Sequence, residues 1–379
     1  MTGARDNTAR RTARFDALDS VRGLAAVVVV LDHGLNVFPL FGGAGPGQVA
    51  PQTGPILAIL IRSPLSLAWN GRAAVAVFFV LSGFVLALPW FGDRPLPYRL
   101  FVLRRFCRIY LPYAVAVALA MALSAWLCGS HPASVSAWFD ANWTEPVTAT
   151  TVLDHLLMLG THNTFDNAVW SLNHEMRISL LFPLLLLPIR RFGLSGAAAA
   201  AIALYGIAGA ITHFAGWHGA PAEAAATIRF STFFILGSAV AQCVDRVRTQ
   251  RPGRAWLALA IGLCCLWQGR EPAAMAIGAA LVILAAILPG PLQTILTTPT
   301  LRTLGRISYS LYLVHLLVLL SAVHLLFGHA PLPVIVAGAG VICLPVAAVF
   351  HWLIEAPSDQ LGRNLARRLR QAAALPSRR

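Results

Sequence analysis

Charge is scarce in this sequence. Only 12% of its 379 residues are charged, against 57% hydrophobic residues and a mean hydropathy of +0.69, which is too apolar for a soluble domain. Lysine is absent: all 29 basic residues are Arg, which reflects genome composition rather than chemistry. Acidic residues number 15, leaving a formal net charge of +14. The Arg residues sit in short clusters between apolar runs, as membrane orientation produces, and a nucleic-acid partner is rejected on that ground. Cysteine is sparse too. Cys107, Cys128, Cys243, Cys264, Cys265 and Cys343 lie in or beside apolar runs, with neither metal-ligand spacing nor a clear pair in an outward loop. They read as buried small hydrophobes, and no metal is expected. A secretory leader is not expected either, because the apolar run after the Arg-rich start is too long and lacks a small-residue cleavage site. No internal repeat suggests the inverted halves of a secondary transporter.

What the chain does contain is a succession of apolar runs of membrane-spanning length. They predict an all-α, polytopic transmembrane bundle with spans at about 18–40, 73–91, 109–128, 171–188, 193–214, 228–244, 255–268, 272–290, 306–327 and 333–354. A Gly/Pro-rich loop runs from the first span through Gln52. Residues 56–68, with Arg62 and Pro64, are too short to cross and read as interfacial or re-entrant. The longest connection, 129–170, holds no Arg but includes His131, Asp140, Glu145, Asp154, His155, His162 and Asp166. With the N-terminus inside, 24 of the Arg fall on the cytoplasmic side, and only Arg62, Arg72, Arg177, Arg229 and Arg270 do not. Both termini are therefore expected to be cytoplasmic. The domain plan is a cytoplasmic tail over 1–17, a transmembrane domain over 18–354 and a basic cytoplasmic tail over 355–379.

The first span carries unusual polarity. Leu18-Asp19-Ser20-Val21-Arg22-Gly23 leads into an apolar run that Asp32 and His33 then interrupt. Ionisable groups at that depth cost roughly 2.5–3.5 kcal/mol at a helix centre and are functional suspects by default. Arg22 and His33 are eleven residues apart, which in a helix is three turns plus about 20°, so both face one way, ~16 Å apart. Taken singly, Arg22 could snorkel to the membrane surface and His33 could bond a neighbouring helix. Asp19, one turn before Arg22, favours a joint role.

Four further clusters stand out. Arg104, Arg105 and Arg108 open the third span, and guanidinium groups at i and i+3 can grip a phosphate or pyrophosphate, or simply anchor the helix. Trp170-Ser-Leu-Asn-His174-Glu175 lies at the outer entrance to the fourth span, where an aromatic, an imidazole and a carboxylate suit sugar binding, although an interfacial aromatic belt accounts for Trp170 by itself. In the ninth span Ser308, Tyr309, Tyr312 and His315 include three residues at helical spacing that share a face, where they can meet a substrate or hydrogen-bond a neighbouring helix. Glu355, two residues before Pro357, closes the tenth span and reads as a helix-end carboxylate or the partner of a cytoplasmic Arg. Ser82 and Gly83 in the second span could allow close helix approach.

Together these residues resemble the membrane acyltransferase family called acyltransferase 3. The resemblance rests on Leu18-Asp19-x-x-Arg22-Gly23 with His33, Phe78-Phe-Val-Leu-Ser82-Gly83-Phe84, Arg105-x-x-Arg108, Trp170-Ser-Leu-x-x-Glu175, Ile307-Ser-Tyr-Ser-Leu-Tyr312-Leu-Val-His315 and Ile354-Glu355-x-Pro357. Ala356 departs from the basic residue common there, and the fused periplasmic hydrolase-like domain of many members has no counterpart in this sequence. The resemblance implies an O-acyltransferase of the bacterial inner membrane that takes an acyl group, acetyl above all, from cytoplasmic acyl-CoA. Its acceptor would be a carbohydrate hydroxyl of the cell envelope. His33, Arg22 and Asp19 become the catalytic candidates, and Arg104, Arg105 and Arg108 the CoA-binding ones. Trp170, Glu175, His174, Ser82, Tyr309, Tyr312, His315 and Glu355 become substrate-binding candidates. The lipid bilayer is a partner, and association of copies of the chain stays open.

A neutral imidazole in a low-dielectric cavity can take the proton of an attacking hydroxyl, a contribution worth about 10²–10⁴-fold in rate. An acyl group carried on His33 itself is equally compatible. A transporter or flippase of a lipid-linked sugar would need similar intramembrane polarity and is the competing reading. The Arg asymmetry generates a test: reporter fusions after Arg251 and Arg370 should read cytoplasmic and one after Asn142 external, and an external C-terminus would mean a miscounted span.

Overall fold

The structure, a computed structural model, describes residues 2–42, 54–91, 97–127, 135–160, 164–216, 219–247, 253–269 and 271–374. The Gly/Pro-rich loop up to Gln52, Asp93 and Arg94 of the basic loop, Cys128, His131, His162, Arg251 and Arg270 lie outside them. Among the described residues there is no strand, only one isolated bridge between Phe327 and Ala330.

Long helices carry the fold: α1 (Thr2–Asn36), α2 (Gly71–Phe91), α3 (Tyr98–Leu127), α4 (Trp170–Ala215), α5 (Gly219–Gln242), α6 (Gly253–Gln268), α7 (Pro272–Ile287), α8 (Pro299–Leu326) and α9 (Leu332–Phe350). Six are long and apolar enough to cross a bilayer, namely α2, α3, α4, α5, α8 and the rod that begins with α9; α6 and α7 are apolar but shorter. The chain is a multi-pass membrane protein. The runs at 171–188 and 193–214 are two helices that meet inside α4 at a break, where Gly193 adopts φ 64° and ψ −139°, shortly after Pro183 and Pro188. Residues 55–69 form two short pieces, Pro55–Arg62 and Pro64–Trp69, neither of spanning length.

The expected helix end at Glu355 is not there. The rod passes from α9 through a π-helical turn at His351–Glu355 into α10 (Ala356–Ala374). The wider turn falls just before Pro357, where the missing N–H would otherwise break the ladder. A second π-helical turn, Phe106–Tyr110, interrupts α3 at Arg108. Cys107 and Cys343 are buried as expected, but Cys264 is exposed.

Packing is close where side chains vanish. At the crossing of α2 and α5, a Cβ on Gly83 would meet the Phe234 carbonyl oxygen at 2.2 Å and one on Gly237 the Val80 carbonyl oxygen at 2.0 Å. At the crossing of α1 and α8, a Cβ on Gly23 would stand 2.7 Å from the Gly305 nitrogen. Without a hydrophobic force between helices in lipid, such small-residue contacts let backbones approach and pack. Phe79, Phe84, Phe182, Phe233 and Phe234 fill the space between α2, α4 and α5.

The connection after α3 is a folded cap. Phe139, Trp143 and Phe165 are buried in it, and Trp143 donates from Nε1 to the Phe165 carbonyl at 2.9 Å. The Ser136 backbone N–H donates to the Val37 carbonyl (2.9 Å) and its hydroxyl to the Asn36 carbonyl, tying the cap to the end of α1.

Gly237→Ile should cost about 1–3 kcal/mol or more through overpacking, lowering the midpoint of thermal unfolding in detergent and the folded yield. Gly206→Ala, on an open stretch of α4 with nothing within 4 Å of the added methyl, should be neutral or stabilising by up to about 1 kcal/mol. Equal behaviour of the two variants would remove the crossing from the account of stability.

Candidate active site

Arg22 is held at the crossing of α1 and α8. Its Nε donates to Ser308 Oγ (2.8 Å), its Nη2 donates to the Gly305 carbonyl (3.1 Å), and Asp19 Oδ1 lies 3.1 Å from Nη2. Ser308 in turn donates to the Gly305 carbonyl (2.7 Å). The glycines that flank these residues in the sequence are the ones that let the two backbones touch. Spacing along α1 and α8 therefore sets where the guanidinium points.

Arg105 comes from α3 and is locked differently. Its Nη2 donates to Glu175 Oε1 (2.8 Å) and to Ser179 Oγ (3.0 Å), both on α4, and Ser82 of α2 donates to the same Glu175 oxygen at 2.8 Å. Arg108, in the π-helical turn of α3, is exposed and has no hydrogen-bond or ion-pair partner among the described residues. Arg22, Arg105 and Arg108 line one open cavity of about 840 Å³, together with Ser82, Glu175, Ser308, Tyr309, Tyr312 and apolar residues such as Phe78 and Leu172. Arg104 is exposed and does not line it.

Glu175 therefore sits in the same cavity as the arginines, not on a separate outer lip as its sequence position suggested. Its sequence neighbours Trp170 and His174 are turned away. Trp170 packs against Phe79 and Phe230, and buried His174 meets Thr227 Oγ1 at 2.8 Å, with Glu223 3.9 Å from its other nitrogen. Arg177 completes that second cluster, bonding Glu223 (3.1 Å) and the Met158 carbonyl (2.9 Å), so it ties α4 and α5 to the cap.

Tyr312 forms the far wall. Its hydroxyl donates to the Ala168 carbonyl (2.8 Å) and lies 2.7 Å from Ser171 Oγ, while its ring meets the ring of Phe78 edge-on. Tyr309 donates to the Ile109 carbonyl at 2.8 Å. One turn beyond Tyr312 stands His315, whose Nε2 is 2.7 Å from His33 Nδ1. Trp138 of the cap covers His33, ring centroids 5.2 Å apart and 27° from parallel. His33 remains part-exposed, whereas His315 is 1% exposed with both ring nitrogens engaged. Of its two sequence readings, His315 follows the helix–helix hydrogen bond, with both ring nitrogens taken. Glu355 is buried, does not line the cavity and is held by Ser310 (2.6 Å) and His351 (2.8 Å), with no Arg ion pair among the described residues. Trp138 carried no warning in the sequence, where it is one aromatic in a polar loop.

At the inner edge of the cap, Asp166 caps the turn before α4 by accepting from the Ala168 N–H (3.1 Å), but its buried Oδ2 has no hydrogen-bond partner among the described residues. Burial pushes its carboxyl from an ordinary 3.8 up to about 7. The neutral form belongs to the folded state. Its contribution to stability is fully present below about pH 4 and is lost as pH rises through about 7. Asp166→Asn keeps the capping oxygen and removes the ionisation, so its unfolding midpoint in detergent should fall less than that of the wild type between pH 5 and 8. Parallel curves would mean that Asp166 ionises freely in the fold.

The acyltransferase domain model Acyl_transf_3 matches residues 15–352. No curated protein and no solved structure matches the chain.

Proposed function

The chain belongs to the acyltransferase 3 family, and we propose that it moves an acyl group, acetyl in the simplest case, from cytoplasmic acyl-CoA to a hydroxyl of a cell-envelope polysaccharide, lipid-linked glycan or related glycoside. In this reading it resides in the bacterial inner membrane with ten crossings and both termini cytoplasmic, as the Arg distribution demands. The six long helices, with α4 broken into two at Gly193, together with α1 and the shorter α6 and α7 are the material for those crossings.

One observation carries the proposal. A single cavity gathers three guanidinium groups from two helices at one end, and its wall at Tyr312 adjoins a pair of hydrogen-bonded imidazoles. A nucleotide-bearing thioester has matching polarity: several phosphate charges, a long neutral arm and a reactive carbonyl at the tip. Arg108, with its planar fork free, is the first phosphate ligand, and Arg22 and Arg105 can add bidentate contacts. Ser82, Glu175, Tyr309 and Tyr312 line the path of the arm. His33 meets the thioester and either takes the proton of the attacking hydroxyl or carries the acyl group to it. Arg22, with Asp19 fixing its orientation, stands eleven residues earlier on the same helix, so α1 connects the charged end to the reacting end.

The test is purified protein supplied with acetyl-CoA and a glycan acceptor. Release of free CoA thiol and an acyl-sized mass gain on the acceptor are the expected results, and neither should occur without protein. Arg108→Ala should raise the KM for acetyl-CoA about 10–100-fold, the loss of one charge-assisted contact, with Arg108→Lys recovering part. His33→Ala should abolish transfer while CoA affinity stays within about threefold. Transfer by folded His33→Ala within about tenfold of wild type would refute the assignment of His33.

A further inference from the structure

The two imidazoles fix each other's protons. His33 and His315 lie 10° from parallel with centroids 5.0 Å apart. The 2.7 Å N···N contact plus the two half-rings accounts for that separation. The rings therefore meet edge to edge in one plane rather than stack, which is the geometry of a straight hydrogen bond.

Which nitrogen donates follows from what lies behind His315. Its Nδ1 faces two backbone carbonyls, Tyr312 at 2.8 Å and Leu311 at 3.2 Å. Carbonyl oxygens only accept, so Nδ1 of His315 carries a hydrogen, and in the neutral ring its Nε2 is a bare acceptor. The contact to His33 then requires the hydrogen on His33 Nδ1. The remaining nitrogen of neutral His33, Nε2, is left without a proton. It has no hydrogen-bond partner among the described residues, and the side chain is part-exposed, unlike His315.

We propose that His315 is a positioning residue that holds His33 in its Nδ1–H tautomer, so that the lone pair on His33 Nε2 is the one presented to the reacting groups. The inference rests on the reading of His33 as the reacting imidazole. In the direct route the acceptor O–H bond breaks and its proton goes to His33 Nε2, while the oxygen bonds the thioester carbonyl carbon. The C–S bond then breaks, and the departing sulfur takes the proton back from Nε2, giving an ester and a free thiol. While His33 is protonated, its Nδ1–H points at His315 Nε2, so the transient charge is shared with a ring that two carbonyl dipoles support. The logic is that of a triad in which the third member orients the base, with an uncharged imidazole and the helix backbone in place of a carboxylate. The same tautomer serves a nucleophilic His33, because attack also needs Nε2 bare. Trp138, covering the His33 ring, restricts its rotation and keeps this edge-to-edge register.

The experiment separates orientation from simple filling of space. His315→Leu keeps bulk but accepts no hydrogen bond, whereas His315→Gln can place its amide oxygen where Nε2 was and accept from His33 Nδ1. His315→Leu should lower kcat about 10²–10³-fold with the KM for acetyl-CoA within threefold, and His315→Gln should recover at least tenfold of that loss. Nitrogen NMR of ¹⁵N-histidine-labelled wild type, with His33 identified by its absence in His33→Ala, should show Nδ1 protonated and Nε2 bare. A wild-type His33 protonated on Nε2 would overturn the proposal, as would His315→Leu active within threefold of wild type or His315→Gln no better than folded His315→Leu. The spectrum requires no turnover, so the tautomer stands or falls separately from the proposed acyl transfer.

Discussion

The structure depends on the contact between α1 and α8. Gly23 and Gly305 bring the two backbones together, and polar bonds then join the helices at both ends of the functional region: Arg22 to Ser308 at one, His33 to His315 at the other. Had either glycine carried a side chain, the helices would stand apart and neither bond could form at its present length. A guanidinium and an imidazole in a largely apolar bundle are tolerated only where partners compensate their desolvation, and α8 supplies both sets of partners from one face. From α2, α3 and α4 come the other residues of the cavity wall.

Much of this could be read from the sequence because the relevant relations are local. The face shared by Arg22 and His33 follows from helical period alone, as does the alignment of Ser308, Tyr312 and His315 on α8. The apolar runs announced a membrane bundle, and the family resemblance matches the domain found over residues 15–352. Spacing does not reveal pairing across long separations. Glu175 looked like a residue of an outer lip because its neighbours Trp170 and His174 suggested one, yet its carboxylate turns toward Arg105, seventy residues earlier. His315 could be read as a substrate ligand or as a helix–helix contact, and only the fold shows that its nitrogens meet His33 and the backbone of its own helix.

Other differences come from backbone behaviour that composition does not encode. Pro357 reads as a stop signal, but a π-helical turn ahead of it lets the rod continue through α10. Arg190 and Arg191 read as a loop between two spans; the two helices are there, but they meet at Gly193, and both Arg residues lie in the last turn of the first. The cap over His33 draws on buried Phe139, Trp143 and Phe165. Single aromatics scattered through a connection carry no period, so nothing in their order predicts that they pack together.

The pairing of Glu175 with Arg105 has a consequence for which anions the cavity admits. Two of its three guanidinium groups already face a resident carboxylate, Asp19 for Arg22 and Glu175 for Arg105, and Arg108 alone faces none among the described residues. A small monovalent anion gains one free fork and must compete with internal carboxylates for the others. A ligand with several phosphate charges can engage Arg108 first and then exchange partners with the other two, several contacts against one. The resident acids therefore hold Arg22 and Arg105 in place and raise the charge an anion must bring to displace them.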